Sequence, residues 1–275
     1  MTSRELKDFY RSVGALYEEE RYVHRSGWGR SRRRFLKGLM RRFVVDSICA
    51  DIGCGGGIYL GDMLDMGADK VLGVDISYPT LLRARGREPR AYLVCGDAEA
   101  IPLRDSSIQF LLSTEVIEHL ENPEDFIREI SRILTPGGIA LITCPNWHRK
   151  KPMHISTGIL RYFGIKQREY LHTAYTPDEL EELSLNAGLK CIEKGTFEKD
   201  MRIWGRMYDM LLAFAVALLE FAGAPAGSVR VAYRIHTEVG GFIYSMLVLT
   251  GVAWLMKKIF KRGPRSYIIF QKRKS

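Results

Sequence analysis

Cysteine is scarce in this chain, with five scattered through 275 residues. Cys49, Cys54, Cys95, Cys144 and Cys191 show no C-x-x-C spacing and no histidines at zinc-ligand spacing, which excludes a structural zinc module. A disulfide scaffold is excluded too, and an odd, dispersed set suits a reducing compartment. Four of the five sit in or beside apolar strand-like runs, where a thiol behaves as a small hydrophobe. The sequence also lacks internal repeats, low-complexity tracts and a continuous apolar stretch among its first residues, so no secretory signal is expected. What is present is enough to build a core: 46% hydrophobic and 11% aromatic residues exclude a disordered chain. The length suits one domain with an extension, or two small domains.

The formal net charge of +9 is unevenly spread. Residues 1–45 carry 12 basic and 5 acidic side chains, residues 257–275 carry 8 basic and no acidic ones, and the stretch between them carries 21 basic and 27 acidic. Two basic ends therefore flank a mildly acidic body. Such clusters face nucleic acid, phosphorylated substrates or an acidic lipid surface, or they form a solvated face.

Residues 1–45 read as helical, with Leu6, Phe9, Tyr10, Val13, Leu16 and Tyr17 at roughly helical spacing and a second helix over Arg32–Phe43. From Ile48 the texture changes. Apolar runs at Ser47–Ile52, Lys70–Val74, Ala91–Cys95, Ile108–Ser113 and Ile139–Cys144 alternate with amphipathic stretches at Tyr59–Met66, Tyr78–Arg85 and Pro123–Leu134. That alternation predicts βαβ units and a parallel sheet buried on both faces. Asn146–Ala174 reads as irregular. Thr176 then caps a helix, with Pro177 in its first turn and Glu179 completing a capping box. Gly188 ends that helix, and Lys190–Phe197 and Arg265–Lys272 read as two further strands.

The sharpest local feature is Asp51-Ile52-Gly53-Cys54-Gly55-Gly56-Gly57, between a strand and a helix. A dinucleotide fingerprint needs G-x-G-x-x-G, and position 58 is Ile58. A carboxylate at the strand end repels a pyrophosphate and suits a ligand with an ammonium group. The next strand ends in Asp75, followed by Ile76, where an acid can accept from both ribose hydroxyls; its bland alternative is a strand-end cap. The third ends in Gly96-Asp97-Ala98, where Asp97 and the Ala98 N–H suit an adenine ring, though alone this is an ordinary turn.

These motifs resemble the class I S-adenosylmethionine-dependent methyltransferases. The resemblance continues through Ile101-Pro102-Leu103, Thr114-Glu115-Val116-Ile117-Glu118-His119-Leu120 and Leu134-Thr135-Pro136-Gly137-Gly138, over about residues 45–198 plus the last strand. It implies an α/β Rossmann-like seven-stranded sheet in the order 3-2-1-4-5-7-6 with the last strand antiparallel. It implies a helical lid over residues 1–45, a cofactor domain over 46–200 and 264–275, and a hydrophobic insert over 201–263. It also implies S-adenosylmethionine as cofactor, with Asp51, Gly53, Gly55 and Gly57 at the methionine end, Asp75 and Ile76 at the ribose, Asp97 and Ala98 at the adenine, and Glu115 nearby. Tyr17 and Arg21 look like the lid helix. The sequence Glu115–Leu120 followed by Thr143-Cys144-Pro145-Asn146 is similar to the ubiquinone-biosynthesis O-methyltransferases. There, two acids and a histidine hold a divalent metal and help deprotonate a phenol. Glu115, Glu118 and His119 are the matching positions, and the competing reading has them line the pocket without a metal. His172 is a second candidate base, set against a loop histidine bonded to backbone.

The chain departs from a minimal methyltransferase between its last two strands, where more than sixty residues intervene. Met210–Leu219 and Val239–Met256 are uncharged, the second at the lower edge of spanning length. A cap on the sheet, an interfacial hairpin and a spanning hairpin all remain open. Glu220, Pro225, Gly240, Gly241 and Gly251 weigh against spanning. Lys257–Arg265 would face anionic lipid, Arg30–Arg34 with Arg41 and Arg42 would add a second contact, and Pro152–Gly164 would gate a greasy pocket. The expected protein is cytoplasmic, held peripherally or by a hairpin on the cytoplasmic face of a membrane, and methylates a lipophilic acceptor. Two alternatives stand beside it: a tRNA, other nucleic-acid or protein methyltransferase gripping phosphates with Arg30–Arg42, and a non-catalytic cofactor-binding scaffold.

Overall fold

The computed structural model describes residues 3–146, 149–156 and 158–274. Seven strands form one sheet: β1 (Ile48–Ile52), β2 (Lys70–Asp75), β3 (Tyr92–Cys95), β4 (Ile108–Thr114), β5 (Leu134–Pro145), β8 (Leu189–Phe197) and β9 (Arg265–Lys272). Their order is β3-β2-β1-β4-β5-β9-β8. The first five are parallel, and β9 runs antiparallel between β5 and β8. This is the expected order, with the numbers of the last two strands raised because a separate two-stranded hairpin lies between β5 and β8 in the chain.

Continuous apolar runs make these strands central because both faces are covered. On one face Phe126, Ile127 and Ile130 of α6 (Pro123–Ile133) and Leu180 of α7 (Pro177–Leu185) pack against Ala50, Leu111, Ile142 and Phe270. On the other, Leu36 and Met40 of α3 (Gly27–Met40), Leu60 and Met63 of α4 (Ile58–Asp65) and Leu81 of α5 (Tyr78–Arg87) pack against Cys49, Val71, Phe110 and Leu141. Before α3 the chain forms α1 (Ser3–Leu16) and the single turn α2 (Glu19–Tyr22).

Asn146–Ala174, read as irregular, contains the hairpin β6 (Arg149–Ser156) and β7 (Glu169–Ala174), joined through a 3₁₀ turn at Gly158–Phe163. β6 is basic and carries Pro152, so it lacks the apolar signature of the main strands. Thr157, in the expected gate, lies outside the described residues, as does the side chain of Ile155. The insert folds as α8 (Trp204–Phe221), α9 (Ala226–Leu249) and α10 (Val252–Ile259). It was expected to pack on the sheet if it formed a cap. Instead Gly27 of α3 lies close against α9, where a Cβ would meet the Gly240 carbonyl at 3.1 Å and Tyr244 at 3.4 Å.

The capping box forms as read. The Glu179 N–H donates to Thr176 Oγ1 at 3.3 Å, and Glu179 Oε2 accepts from the Thr176 N–H at 2.8 Å. Thr176→Ala is expected to cost about 1 kcal/mol in urea unfolding. No loss of stability would place the cap's contribution elsewhere.

Candidate active site

β1 has β2 on one side and β4 on the other, so the connections leaving β1 and β4 diverge and open a crevice at the strands' carboxyl ends. A cavity of about 250 Å³ fills it. Its walls are the glycine loop, the residues just beyond β2, β3 and β4, and the lid residues Tyr10, Val13, Gly14 and Tyr17.

Gly53 and Gly55 have φ of 76° and 51°, the left-handed region that glycine enters without strain. A Cβ on Gly53 would stand 2.2 Å from the Val116 side chain. The N–H groups of Gly53 and Cys54 both donate to the Val74 carbonyl, at 2.8 and 3.0 Å, and that of Gly57 to the Cys54 carbonyl at 3.0 Å. The Gly55 N–H donates to Asp75 Oδ2 at 2.9 Å. With these donors engaged, the loop is poorly equipped for phosphate, which needs free N–H groups. Its carbonyls and the nearby acids suit an ammonium group, so the donor set fits the methionine end of S-adenosylmethionine. Asp75 lies at the end of β2 with Oδ1 accepting from the Ser77 N–H at 2.8 Å, and its carboxylate edge lines the cavity. Burial raises its pKa despite those two N–H bonds.

Tyr17, Gly53, Gly55, Asp75, Ile76, Asp97, Ala98, Glu115 and His119 all line the cavity. Asp51, Gly57, Arg21, Glu118 and His172 do not. Asp51 lies within β1, flanked by Gly73 and Leu112 on the neighbouring strands, and is wholly buried with neither carboxylate oxygen hydrogen-bonded. Burial, and then the nearby Asp75, push its pKa up to about 8. Gly57 serves helix packing, since a Cβ there would meet Ala84 of α5 at 3.0 Å. Arg21 pairs with Glu18 at 3.5 Å instead. Asp97 is held by Lys7 of α1 at 2.6 Å, so the proposed adenine acceptor already carries a cation.

Glu115 follows β4 with φ of 57°, a backbone turn that aims its carboxylate inward. It takes part in a buried ring of alternating charge. Arg265 Nη1 donates to Glu115 Oε2, and Arg32 Nη1 stands 3.7 Å from the same oxygen. Arg32 Nε donates to Glu198 Oε1 at 2.9 Å, and Arg265 Nε lies 3.5 Å from Glu198 Oε2. Burial alone would raise the pKa of Glu115, but Arg265 and Arg32 together hold it below the usual range. Glu118, buried one turn further on, is pushed well up by burial and then by the charge of Glu115. Among the described residues no group of three or more His, Cys, Asp or Glu is placed to hold a metal ion. Glu115, the first of the candidate ligands, is committed to two arginines.

His119 does face the cavity. Glu118 Oε1 stands 3.8 Å from its Nε2, while the rings of Tyr10, His172 and Tyr170 lie 5.2, 5.3 and 5.7 Å away. The Tyr10 hydroxyl and Glu118 Oε2 are buried without a hydrogen-bond partner. His172, on β7, thus reaches the site as a neighbour of His119. Sequence reasoning missed Tyr10, His24, Arg32 and Tyr59 in the wall. Tyr10 had a signal, seven residues before Tyr17 on the same helical run. His24, whose pKa falls to about 3 through burial and then Arg32, had none. The N-terminal arginines expected to grip phosphate or lipid largely have internal partners. Arg33 and Lys37 both bond Asp62, at 2.8 Å, and Arg42 pairs with Glu193 at 2.6 Å.

Residues 50–142 match the family model described as a methyltransferase domain. A probable S-adenosylmethionine-dependent methyltransferase of Mycolicibacterium smegmatis is 36% identical over 96 residues, 35% of this chain and 37% of that protein. A ubiquinone biosynthesis O-methyltransferase of Roseobacter denitrificans is 29% identical over 154 residues, 54% of this chain and 61% of that protein. The chain thus matches less than two thirds of the length of either relative. Among solved structures, a [4+2]-cyclase superposes with a TM-score of 0.64 at 20% identity, covering 100% of this chain and 98% of that one, a likeness of fold.

A carboxyl group whose folded pKa is raised binds its proton more tightly when folded, so its burial costs stability as pH rises from its unfolded value toward about 8. Asp51→Asn cannot ionise. Its thermal midpoint without cofactor is expected to match the parent near pH 4 and to exceed it increasingly up to pH 8. A constant difference across that range would mean that Asp51 is ionised throughout. Removing one member of the charge ring leaves the others buried and unmatched. Arg32→Met is accordingly expected to lose about 3–5 kcal/mol in urea unfolding.

Proposed function

We propose that this chain, which belongs to the class I S-adenosylmethionine-dependent methyltransferases, transfers a methyl group to a lipophilic small molecule at a membrane surface. A quinone precursor, another isoprenoid or a lipid headgroup has the required chemistry. The carrying observation is the placement of His119 on the wall of the cofactor cavity, with the unpartnered polar atoms of Tyr10 and Glu118 beside it. The ubiquinone O-methyltransferase relative supports an aromatic hydroxyl as acceptor, and the apolar insert supports its lipophilic character.

S-adenosylmethionine supplies a methyl carbon on a sulfonium, open to in-line displacement. The chain's task is alignment, exclusion of water and removal of the acceptor's proton. In this reading the His119 imidazole receives that proton. Glu118 Oε1, 3.8 Å from Nε2, flanks the imidazole on that side. Tyr10, Tyr170 and His172 wall the imidazole from solvent, and Phe9 stacks on Tyr170 at 5.2 Å to fix that wall. The Arg32 and Arg265 guanidiniums keep Glu115 ionised, and burial beside that charge favours the protonated form of Glu118 before the acceptor binds. An amine acceptor would need the alignment without the base.

Incubation with methyl-labelled S-adenosylmethionine and a total membrane-lipid extract should yield a labelled product that partitions into organic solvent. His119→Ala should lower that turnover by about 10²–10⁴-fold with cofactor affinity preserved. Label appearing in tRNA or protein and absent from lipid would overturn the acceptor class. Unchanged turnover in the variant would remove the base.

A further inference from the structure

We propose that α8, α9 and α10 form a docking surface that lies in the plane of an anionic bilayer, resting among its headgroups without crossing it. This names the partner of the membrane reading above and rests on it. The proposal stands on three independent features of the insert.

The first is an apolar face that no described residue covers. On α8 the residues Met207, Met210, Leu211, Phe214, Leu218 and Phe221 recur at helical spacing, and all are exposed, Phe221 at 93%. α9 divides cleanly. Val229, Thr237, Gly240 and Tyr244 are buried, while Val231, Ile235, Val239, Phe242 and Met246 are exposed. The two sets are offset by two residues, about 200° around a helix. Single exposed apolar residues are ordinary, but stripes on consecutive helices mark an interaction site. Trp254 and Leu255 of α10 continue the exposed set.

The second feature is charge. The insert holds three acids, and each is engaged within the protein. Asp209 accepts from Trp28 Nε1 at 2.9 Å, Glu220 pairs with Arg161 at 2.5 Å and Glu238 with Arg25 at 2.8 Å. Eight lysines and arginines of residues 201–263 are exposed, among them Arg230, Arg234, Lys257 and Lys258. Lys258 Nζ stands 3.8 Å over the Trp254 ring, pairing a headgroup-binding cation with a ring suited to the interface. An aliphatic and aromatic stripe rimmed by cations complements an anionic lipid surface better than a nucleic acid, which offers no apolar layer.

The third feature fixes the orientation. Among the described residues no single helix is long and apolar enough to cross a membrane, and the α9–α10 pair, which reaches that length and composition only when taken together, bends by 83°. The buried face of α9 lies on the lid. Arg30 of α3 donates to Ser245 at 3.1 Å, and the Tyr17 and Tyr233 hydroxyls lie 3.1 Å apart. Lipid can therefore reach only the outer side of α9.

Flotation of the full chain with phosphatidylcholine vesicles, with and without phosphatidylglycerol, tests the surface with neither acceptor nor turnover. Its failure is thus separable from a failure of methyl transfer. The chain should float with the anionic vesicles and lose binding as salt rises. The double variant Phe214→Glu/Phe242→Glu, at two solvent-facing positions, should bind about tenfold more weakly or worse. Calorimetric titration with S-adenosylhomocysteine should show unchanged affinity and so an intact fold. A parent chain that stays unbound with anionic vesicles, or a variant that floats equally well, would overturn the proposal. A stable dimer, detected by light scattering and split by the same two substitutions, would overturn it in favour of a second copy as the partner.

Discussion

Four charges hold the parts of this protein together. Arg32 comes from α3, Glu115 from the loop after β4, Glu198 from the end of β8 and Arg265 from the start of β9. Each is largely shielded from water, so each carboxylate is tolerable only beside its arginines. Both glutamates also sit in the left-handed backbone region, with φ of 57° and 61°, where a non-glycine residue needs its surroundings to hold it. The cavity floor, the lid, the exit to the insert and the return strand therefore share one electrostatic centre. A disturbance at any one of the four is felt at the cofactor site, because Arg32 and Glu115 both form part of its wall.

Around that centre the lid is fastened from three directions. Lys7 reaches Asp97, Arg83 of α5 donates to the Gly14 carbonyl, and Tyr17 meets Tyr233 of α9. Tyr22 stacks on Tyr233 at 5.3 Å, and Phe163 stands edge-on to Tyr17 at 5.1 Å, so an aromatic cluster fills the seam between lid, 3₁₀ turn and insert. Exposed ion pairs such as Arg25–Glu238 contribute little by themselves. Aromatic packing and burial carry the seam. The insert is thereby the backing of the lid as well as an outer surface.

The sheet was legible because parallel strands advertise themselves as short, fully apolar runs at regular intervals, and because Asp75, Asp97 and Glu115 sit just past strand ends where the fold brings them together. Other features depended on partners distant in sequence. The N-terminal arginines read as a free basic patch, yet their neutralising partners, Asp62, Glu193 and Glu198, are separated from them by 29 to 166 positions. Among the described residues the β6–β7 hairpin pairs only with itself, and it carries basic residues, so its strands lacked the apolar signature of the core. Asp51 read as a ligand-facing acid because its spacing to the glycines is visible, whereas its full burial within β1 follows from the register with β2 and β4. His172 looked like a separate base and lies beside His119 because β7 packs against the turn after β4.

The insert leaves and rejoins the sheet at paired residues, since Phe197 and Arg265 face each other across β8 and β9. In the sheet's own terms everything between them is a hairpin loop, and the entropy of closing a loop grows only slowly with its length. The sheet therefore tolerates a long excursion at this point, while Tyr233 of α9 still ties that excursion to Tyr17 in the cavity wall. The fold thus keeps its cavity-lining acids at the strand ends and its exposed apolar helices in a single excursion between β8 and β9.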